Sequence, residues 1–402
     1  MRQISRQLSL SALSVLLLVC AASPAQAQYF GRNKVQYKDF KFEVLKTEHF
    51  DVYFYDEESE NAARVGQMAE RWYARLSKVF DHEIRSRQPL VLYASHPDFE
   101  QTNAIGGMLG EGTGGVTEGL KRRVVLPLGG TLAETDHVLG HELVHAFQYD
   151  ISAQRPSGGG IGAGMERLPL WFVEGLAEYL SIGPVDPHTA MWLRDATRKE
   201  ELPQIRNLDS GEFFPYRWGQ AVWAYIGGKY GDDLIGQIFS SAVRDGDAIE
   251  AIKQATLIED KELSANWHAA IREQYSPVMQ ATARAHTFGR PLSANDTAKR
   301  TIDVSPSISP DGRHIVYFSA RDVFSIDLYL ADVATGKIVR KLVDTALNSH
   351  FTSLQFIGSA GAWSPNSRQF VVGGIHAGKP VLAILDVSSG DVVREIEVPE
   401  AG

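Results

Sequence analysis

The stretch HVLGHELVHAFQYD, residues 137–150, sets three histidines four positions apart: His137, His141 and His145. Glu142 stands inside the last interval. Residues four apart share one face of a helix. The core of the stretch is H-E-x-x-H, a spacing that lets His141 and His145 reach one cation with Glu142 beside it. Val138, Leu139, Leu143, Val144 and Phe147 flank these groups, so one side of the helix is apolar and must be buried. A solvated histidine-rich face would satisfy the spacing alone, but the apolar flanks weigh against it. Two imidazoles and a carboxylate on a buried helix need partners. His137, four before His141, could be an outer ligand or a hydrogen-bonding neighbour, but is assigned first to the helix start near Asp136, as a cap or a partner of the first turn.

Working outward, the helix is expected over Thr131–Asp150. RPSGGGIGAG, 155–164, reads as a flexible connector, and LPLWFVEGLAEYLS, 168–181, as a second helix. On that helix Glu174 and Glu178 are again four apart, between Trp171, Phe172, Leu176 and Tyr179. A tetrahedral zinc site wants a third protein ligand, and one of these carboxylates can supply it while the other holds a ligand imidazole. Upstream, FKFEVLKTEHFDVYFY (40–55) alternates and reads as one or two strands. Residues 58–80 carry helical spacing, PLVLYAS from Pro89 is a short strand, and GGMLGEGTGGVTEGLK (106–121) is a glycine-rich loop or hairpin. RRVVLPL (122–128) is the strand leading out of it, and helical patterns fill 219–279. A nucleotide reading of the glycine runs fails, since no Gly-Lys-Ser/Thr follows the first and no clear strand precedes the second. Residues 28–285 are therefore expected to form one α+β unit, mostly helical in its second half.

HExxH followed by WFVEGLAEY resembles the gluzincin zinc peptidases, whose catalytic domain is thermolysin-like. The likeness is to the peptidase MA-like group related to M1 aminopeptidases, and it spans about residues 40–280. It implies a Zn2+ cofactor held by His141, His145 and Glu174, with Glu142 as general base and Glu178 as an acid behind a ligand histidine. Tyr216-Arg217-Trp218-Gly219 is similar to the family's Tyr-x-x-Gly, whose tyrosine hydrogen-bonds the developing oxyanion, so the resemblance implies Tyr216 as a catalytic donor; the alternative is a packed aromatic beside Phe213 and Phe214. His145 and Glu174 are 29 positions apart, more than in thermolysin-like members, and the excess falls in the connector, where added length costs little. The GxMEN element that recognises a free amino terminus is absent, which favours an endopeptidase. The substrate, a peptide or protein, is expected to lie along an edge strand near Arg122–Leu128.

The amino terminus carries Arg2 and Arg6, an apolar run from Leu8 to Ala21, and Ala25-Gln26-Ala27, the pattern of a cleavable export signal over 1–27. Cys20, the one cysteine, lies in that run after Val19, so lipidation is not expected and the mature chain has no thiol chemistry. A bacterial periplasm or exterior fits. Loss of the two arginines takes the formal charge from -9 to -11, which disfavours nucleic acid as a partner. No second run is apolar and long enough for a transmembrane segment.

Composition changes after residue 285. SPDGRHIVYFSA runs into DLYLADVATGKIV, and SPNSRQFVVGGI into PVLAILDVSSGDVV. Ser309-Pro310 recurs as Ser364-Pro365 and Gly336 as Gly390. Residues 286–402 thus hold two antiparallel units that resemble the WD40-like beta-propeller repeats of TolB. Two units do not close a ring, so a fragment of a longer product is expected, with a protein partner docking on the repeats. A rival to the zinc peptidase is thus a non-catalytic periplasmic binding or assembly module acting through the repeats. A metal-dependent hydrolase of other bonds is a weaker third.

Overall fold

The computed structural model describes residues 35–107, 109–154, 164–292, 302–321, 326–345, 351 and 353–398. The expected export signal, Cys20 and almost all of the 155–164 connector lie outside these residues.

Hydrophobic alternation makes the first sheet. β1 (Glu43–Lys46) and β2 (Phe50–Phe54) form a hairpin, closed by Thr47 N–H donating to the Phe50 carbonyl at 2.9 Å. A long helix, α1 (Ser59–Phe80), then crosses over to β3 (Gln88–Tyr93), which lies parallel to β2. α1 buries Ala62, Val65, Ala69, Trp72, Leu76 and Phe80, a stripe at helical spacing that must face the sheet. After the short α2 (His96–Glu100), β4 (Val116–Glu118) folds back on β5 (Arg123–Pro127), and β5 runs parallel to β3. The order is β1-β2-β3-β5-β4. Val52, Leu90, Leu92, Val124 and Leu126 point into the helical core, whereas Tyr55, Tyr93 and Val125 pack on the opposite face with Phe99. The expectation of a substrate-bearing edge strand at 122–128 is thereby corrected. β5 is paired on both sides, and the edge belongs to β4, because the glycine-rich segment returns as a strand and covers it.

Helices fill the rest of this unit: α3 (Leu132–Gln154), α4 (Leu170–Ile182), α5 (Pro187–Lys199), α6 (Pro215–Tyr230), α7 (Ile235–Asp245), α8 (Ala248–Thr256) and α9 (Asp260–Ala281). α4 and α6 cross at van der Waals contact of their backbones. A methyl group on Gly219 would lie 1.9 Å from the Trp171 carbonyl oxygen, and one on Gly175 2.3 Å from Gly219 Cα. Trp223 on α6 locks the crossing by donating its indole N–H to the Phe172 carbonyl at 2.9 Å.

The chain then turns to β structure. β6 (Asp303–Ile308), β7 (His314–Ser319), β8 (Asp327–Asp332) and β9 (Ile338–Val343) form one antiparallel sheet in chain order. β10 (Ser353–Gln355), β11 (Ala362–Trp363), β12 (Gln369–His376), β13 (Lys379–Asp386) and β14 (Val392–Glu397) form the second, with β10 and β11 both pairing with β12. The two Ser-Pro turns precede β7 and β12, and Gly336 and Gly390, both at positive φ, turn the chain into β9 and β14. The sheets face each other across one apolar cluster that includes Phe318, Leu328, Phe370 and Leu385. The protein is thus mixed α and β, with a β-rich carboxy-terminal region and no closed barrel among the described residues. Glu111, in the glycine-rich segment before β4, ties the two parts together: its carboxylate accepts from Phe356 N–H at 2.6 Å and Ile357 N–H at 3.1 Å.

No described helix is long and apolar enough to cross a membrane.

Candidate metal centre

α3 starts where its sequence says a helix should. Thr131 Oγ1 accepts from Glu134 N–H at 3.2 Å, and the Glu134 carboxylate accepts from Thr131 N–H at 2.7 Å, a reciprocal cap. His137 is therefore not a cap. It lies in the second turn, with Nε2 3.7 Å from Glu178 Oε1, so the expectation that it serves the helix start is corrected. Asp136 instead accepts from the Trp72 indole N–H at 3.1 Å.

From that start, His141 and His145 fall on the face turned towards α4, and both are buried. Their Nε2 atoms lie 3.1 Å apart. Glu174 on α4 brings Oε2 to 3.3 Å from His141 Nε2 and 3.1 Å from His145 Nε2. Three lone-pair atoms thus form a nearly equilateral triangle. A regular tetrahedron with ligand bonds of about 2.0 Å has edges of about 3.3 Å, so the triangle matches one face of a zinc coordination shell. The donor set, two imidazoles and a carboxylate, suits the same ion.

The outer groups fix how the ligands point. Gln148 is fully buried. It donates from Nε2 to the Val173 carbonyl at 3.1 Å, so its Oε1 faces His145 Nδ1, 2.8 Å away. Nδ1 must then carry the proton, which leaves the Nε2 lone pair of a neutral ring for the triangle. Behind His141, Glu178 Oε1 stands 3.2 Å from Nδ1, at ion-pair distance but off the hydrogen-bond direction. Glu178 is held in turn by Arg217, which reaches both Glu178 Oε2 and Asp186 Oδ1 at 3.2 Å. Asp186 also caps α5 by accepting from Thr189 N–H at 2.7 Å.

Charge in this cluster is strongly coupled. Burial opposes a charged imidazole at His141, but the Glu174 and Glu178 carboxylates outweigh it and push the ring up to about 10. Burial would likewise raise Glu174, yet His145 and His141 hold its carboxyl well below the usual range. Without a cation, protons on the imidazoles balance the carboxylates, and a cation would take over that part.

Glu142 sits one position round the helix, buried, at the foot of the same cavity. Thr117 Oγ1 on β4 lies 2.7 Å from Glu142 Oε2 and 2.9 Å from the Glu142 carbonyl oxygen, so the strand is fastened to this carboxylate. Tyr216, at the start of α6, stacks its ring at 14° to His141 with centroids 5.8 Å apart. Burial and the neighbouring Glu174 charge raise its phenol, which therefore stays protonated as a donor. The cavity these groups line measures about 760 Å³; its walls include Val116, Leu120, Leu168 and Leu170.

All six expected site residues, His141, Glu142, His145, Glu174, Glu178 and Tyr216, are brought together. Sequence reasoning missed Gln148, Thr117, Arg217 and Asp186. Only Gln148 left a trace, as a lone amide three positions after His145 in a buried stretch.

The profile of a family of unknown function (DUF6055) matches residues 113–286. That segment runs from the approach to β4 to the end of the helical unit and holds His141, Glu142, His145, Glu174, Glu178 and Tyr216 with their partners Thr117, Gln148, Asp186 and Arg217. No curated protein matches the chain. Among solved structures, the beta-propeller domain of the Trilobed protease from Pyrococcus furiosus, reported to have an open velcro topology, is similar at 24% identity and a TM-score of 0.19. The match covers 24% of this chain and 29% of that one, a likeness too slight to carry an argument.

Proposed function

We propose that this chain is an exported zinc-dependent metallopeptidase of the gluzincin type, with a thermolysin-like α+β catalytic unit, acting as an endopeptidase. The observation that carries it is the triangle of His141, His145 and Glu174 donor atoms with Glu142 beside it. His141, His145 and Glu174 would hold the ion. Zinc, when bound, supplies the positive charge that polarises a carbonyl and acidifies a water. Glu142, fixed by Thr117, accepts the proton of the attacking water and returns it to the leaving amine. The Tyr216 phenol donates a hydrogen bond to the carbonyl oxygen as charge gathers there. Glu178, backed by Arg217, and Gln148 keep the two imidazoles aimed at the triangle. A peptide rather than another hydrolysable group is favoured because the edge strand β4 runs along the cavity wall, where an extended chain adds by main-chain hydrogen bonds.

The test is metal content by mass spectrometry of the purified chain beside Glu174→Ala. About one zinc per chain is expected, lost or much reduced in the variant. No zinc in either protein after reconstitution would overturn the peptidase and leave the β-rich region, as a binding or assembly surface, the better account.

A further inference from the structure

A second large cavity, of about 710 Å³, lies between the α/β unit and the second β-sheet. One wall is built from the α/β unit, including Pro97, Pro127 and Val138; the other comes from β12 and β13, including Ile375 and Leu382. The walls are not merely adjacent. The Glu111 carboxylate, itself in the lining, accepts from the backbone N–H groups of Phe356 and Ile357, which fastens the sheet to the loop.

This groove adjoins the candidate active cleft. Gly115 lines the cleft and Gly114 lines the groove, one residue away, which is about 3.3 Å along an extended chain. Both glycines lie directly on α3. A methyl on either would come within 3.0 Å of Val138, and one on Gly115 within 2.9 Å of Glu142 Cγ. The partition between the cavities is therefore a single strand laid over the helix that carries His141 and His145. A chain paired along β4 and passing Gly115 would reach the groove within one or two residues.

The chemistry of both cavities selects the same kind of chain. Leu382 is 41% exposed on the groove wall, and Leu120 and Leu170 are 73% and 63% exposed at the cleft. Apart from the cluster of His141, His145 and Glu174, whose carboxylate is balanced by imidazole protons or a cation, the charged lining groups are carboxylates: Glu111 and Glu134 in the groove, Glu142 and Glu166 in the cleft. No Lys or Arg lines either among the described residues. An acidic segment would be repelled in the groove and beside Glu142 and Glu166, while apolar side chains gain by covering exposed leucines.

We propose that the groove is a second subsite of the same site, taking the continuation of an extended polypeptide substrate that is apolar and free of acidic side chains. This rests on the peptidase reading for its cleft, and the enzyme then acts on unfolded protein segments in preference to short peptides.

The experiment uses the full chain with Glu142→Gln, zinc-loaded, and fluorescence anisotropy of labelled peptides. One peptide has six residues, and a second extends it to eighteen with Leu, Val and Lys. A third matches the second with Glu in place of Lys. The eighteen-residue peptide is expected to bind at least about tenfold tighter than the six-residue one, roughly 1.4 kcal/mol, and the acidic version to show no gain. Leu382→Asp, and to a lesser extent Leu382→Ala, should reduce the long peptide to the affinity of the short one, with melting temperature confirming that each variant folds. Equal binding of long and short peptides, no binding of either, or a gain that survives Leu382→Asp would overturn the groove. Binding that depends on Leu382 in a protein that takes up no zinc would keep the groove and remove the peptidase.

Discussion

Gln148 has both ends of its amide engaged, one by His145 Nδ1 and the other by the Val173 carbonyl. Under the zinc reading it is a positioning residue, which would act on the ion only through the imidazole it orients. Gln148→Leu keeps the volume but leaves Nδ1 and a carbonyl without partners. Zinc affinity, measured by chelator competition, is expected to fall about 10- to 100-fold; an unchanged affinity with a lower melting temperature would make Gln148 purely structural. The same residue marks the limit of what the sequence discloses at this scale. His141, Glu142 and His145 were legible because helical periodicity alone fixes their neighbourhood. Gln148 finds its second partner, the Val173 carbonyl, 25 residues on, and Thr117 reaches Glu142 from 25 residues before. Such pairs exist only once strand and helices are packed, and no local pattern encodes them.

At the scale of elements, the crossing of α4 and α6 gives the glycine of Tyr216-Arg217-Trp218-Gly219 its reason. Gly219 is needed because the backbone of α4 occupies the space of a side chain, and that contact sets where Tyr216 meets His141 and Glu174. Gly219→Ala must push the helices apart. It is expected to destabilise the chain by about 2–4 kcal/mol in urea unfolding and to weaken zinc binding with it; a neutral substitution would mean the crossing is looser than described. Strong helices and the first hairpin were readable from periodicity. α5 was not, because it buries only Thr189, Leu193 and Ala196 and so has little apolar stripe to detect. β6 was missed for a different reason: Pro306 and the register shift after Val304 interrupt its alternation. The misplaced edge strand has the same origin as these. A three-residue strand, Val116–Glu118, set among glycines carries too few side chains to announce that it covers its neighbour.

For the whole molecule, acid response has a definite sign at Glu58. This residue is 4% exposed where the chain enters α1, and burial pushes its carboxyl up from 4.5 to about 7. The folded state therefore holds a proton that the unfolded state releases. The associated stability is fully present below about pH 4.5 and is lost as pH rises through about 7. Between pH 5 and 8 the unfolding free energy of the α/β unit is expected to fall by about 1–3 kcal/mol from this group. Glu58→Gln should flatten that slope in urea titrations at a series of pH values, and a slope identical to wild type would assign the effect elsewhere. The repeat in the last hundred residues showed through its turns, at Ser309 and Ser364 and at Gly336 and Gly390, since turn geometry constrains residue type directly. How the two sheets share one core depends on residues such as Phe318 and Phe370, about fifty positions apart, and how Glu111 reaches across to the second on a contact spanning 245 positions; neither left a mark in the sequence.

Thr117 binds the Glu142 carboxylate from the strand on which a substrate chain would pair. Anything that bends or shifts that strand tilts the base as well. Under the peptidase reading, a chain that fits poorly along β4 would still dock, but with its proton acceptor misdirected, and small errors of aim are costly in reactions of this kind. Discrimination between good and poor sequences would then show in turnover more than in occupancy, so that ill-fitting chains behave as bound, slowly processed competitors.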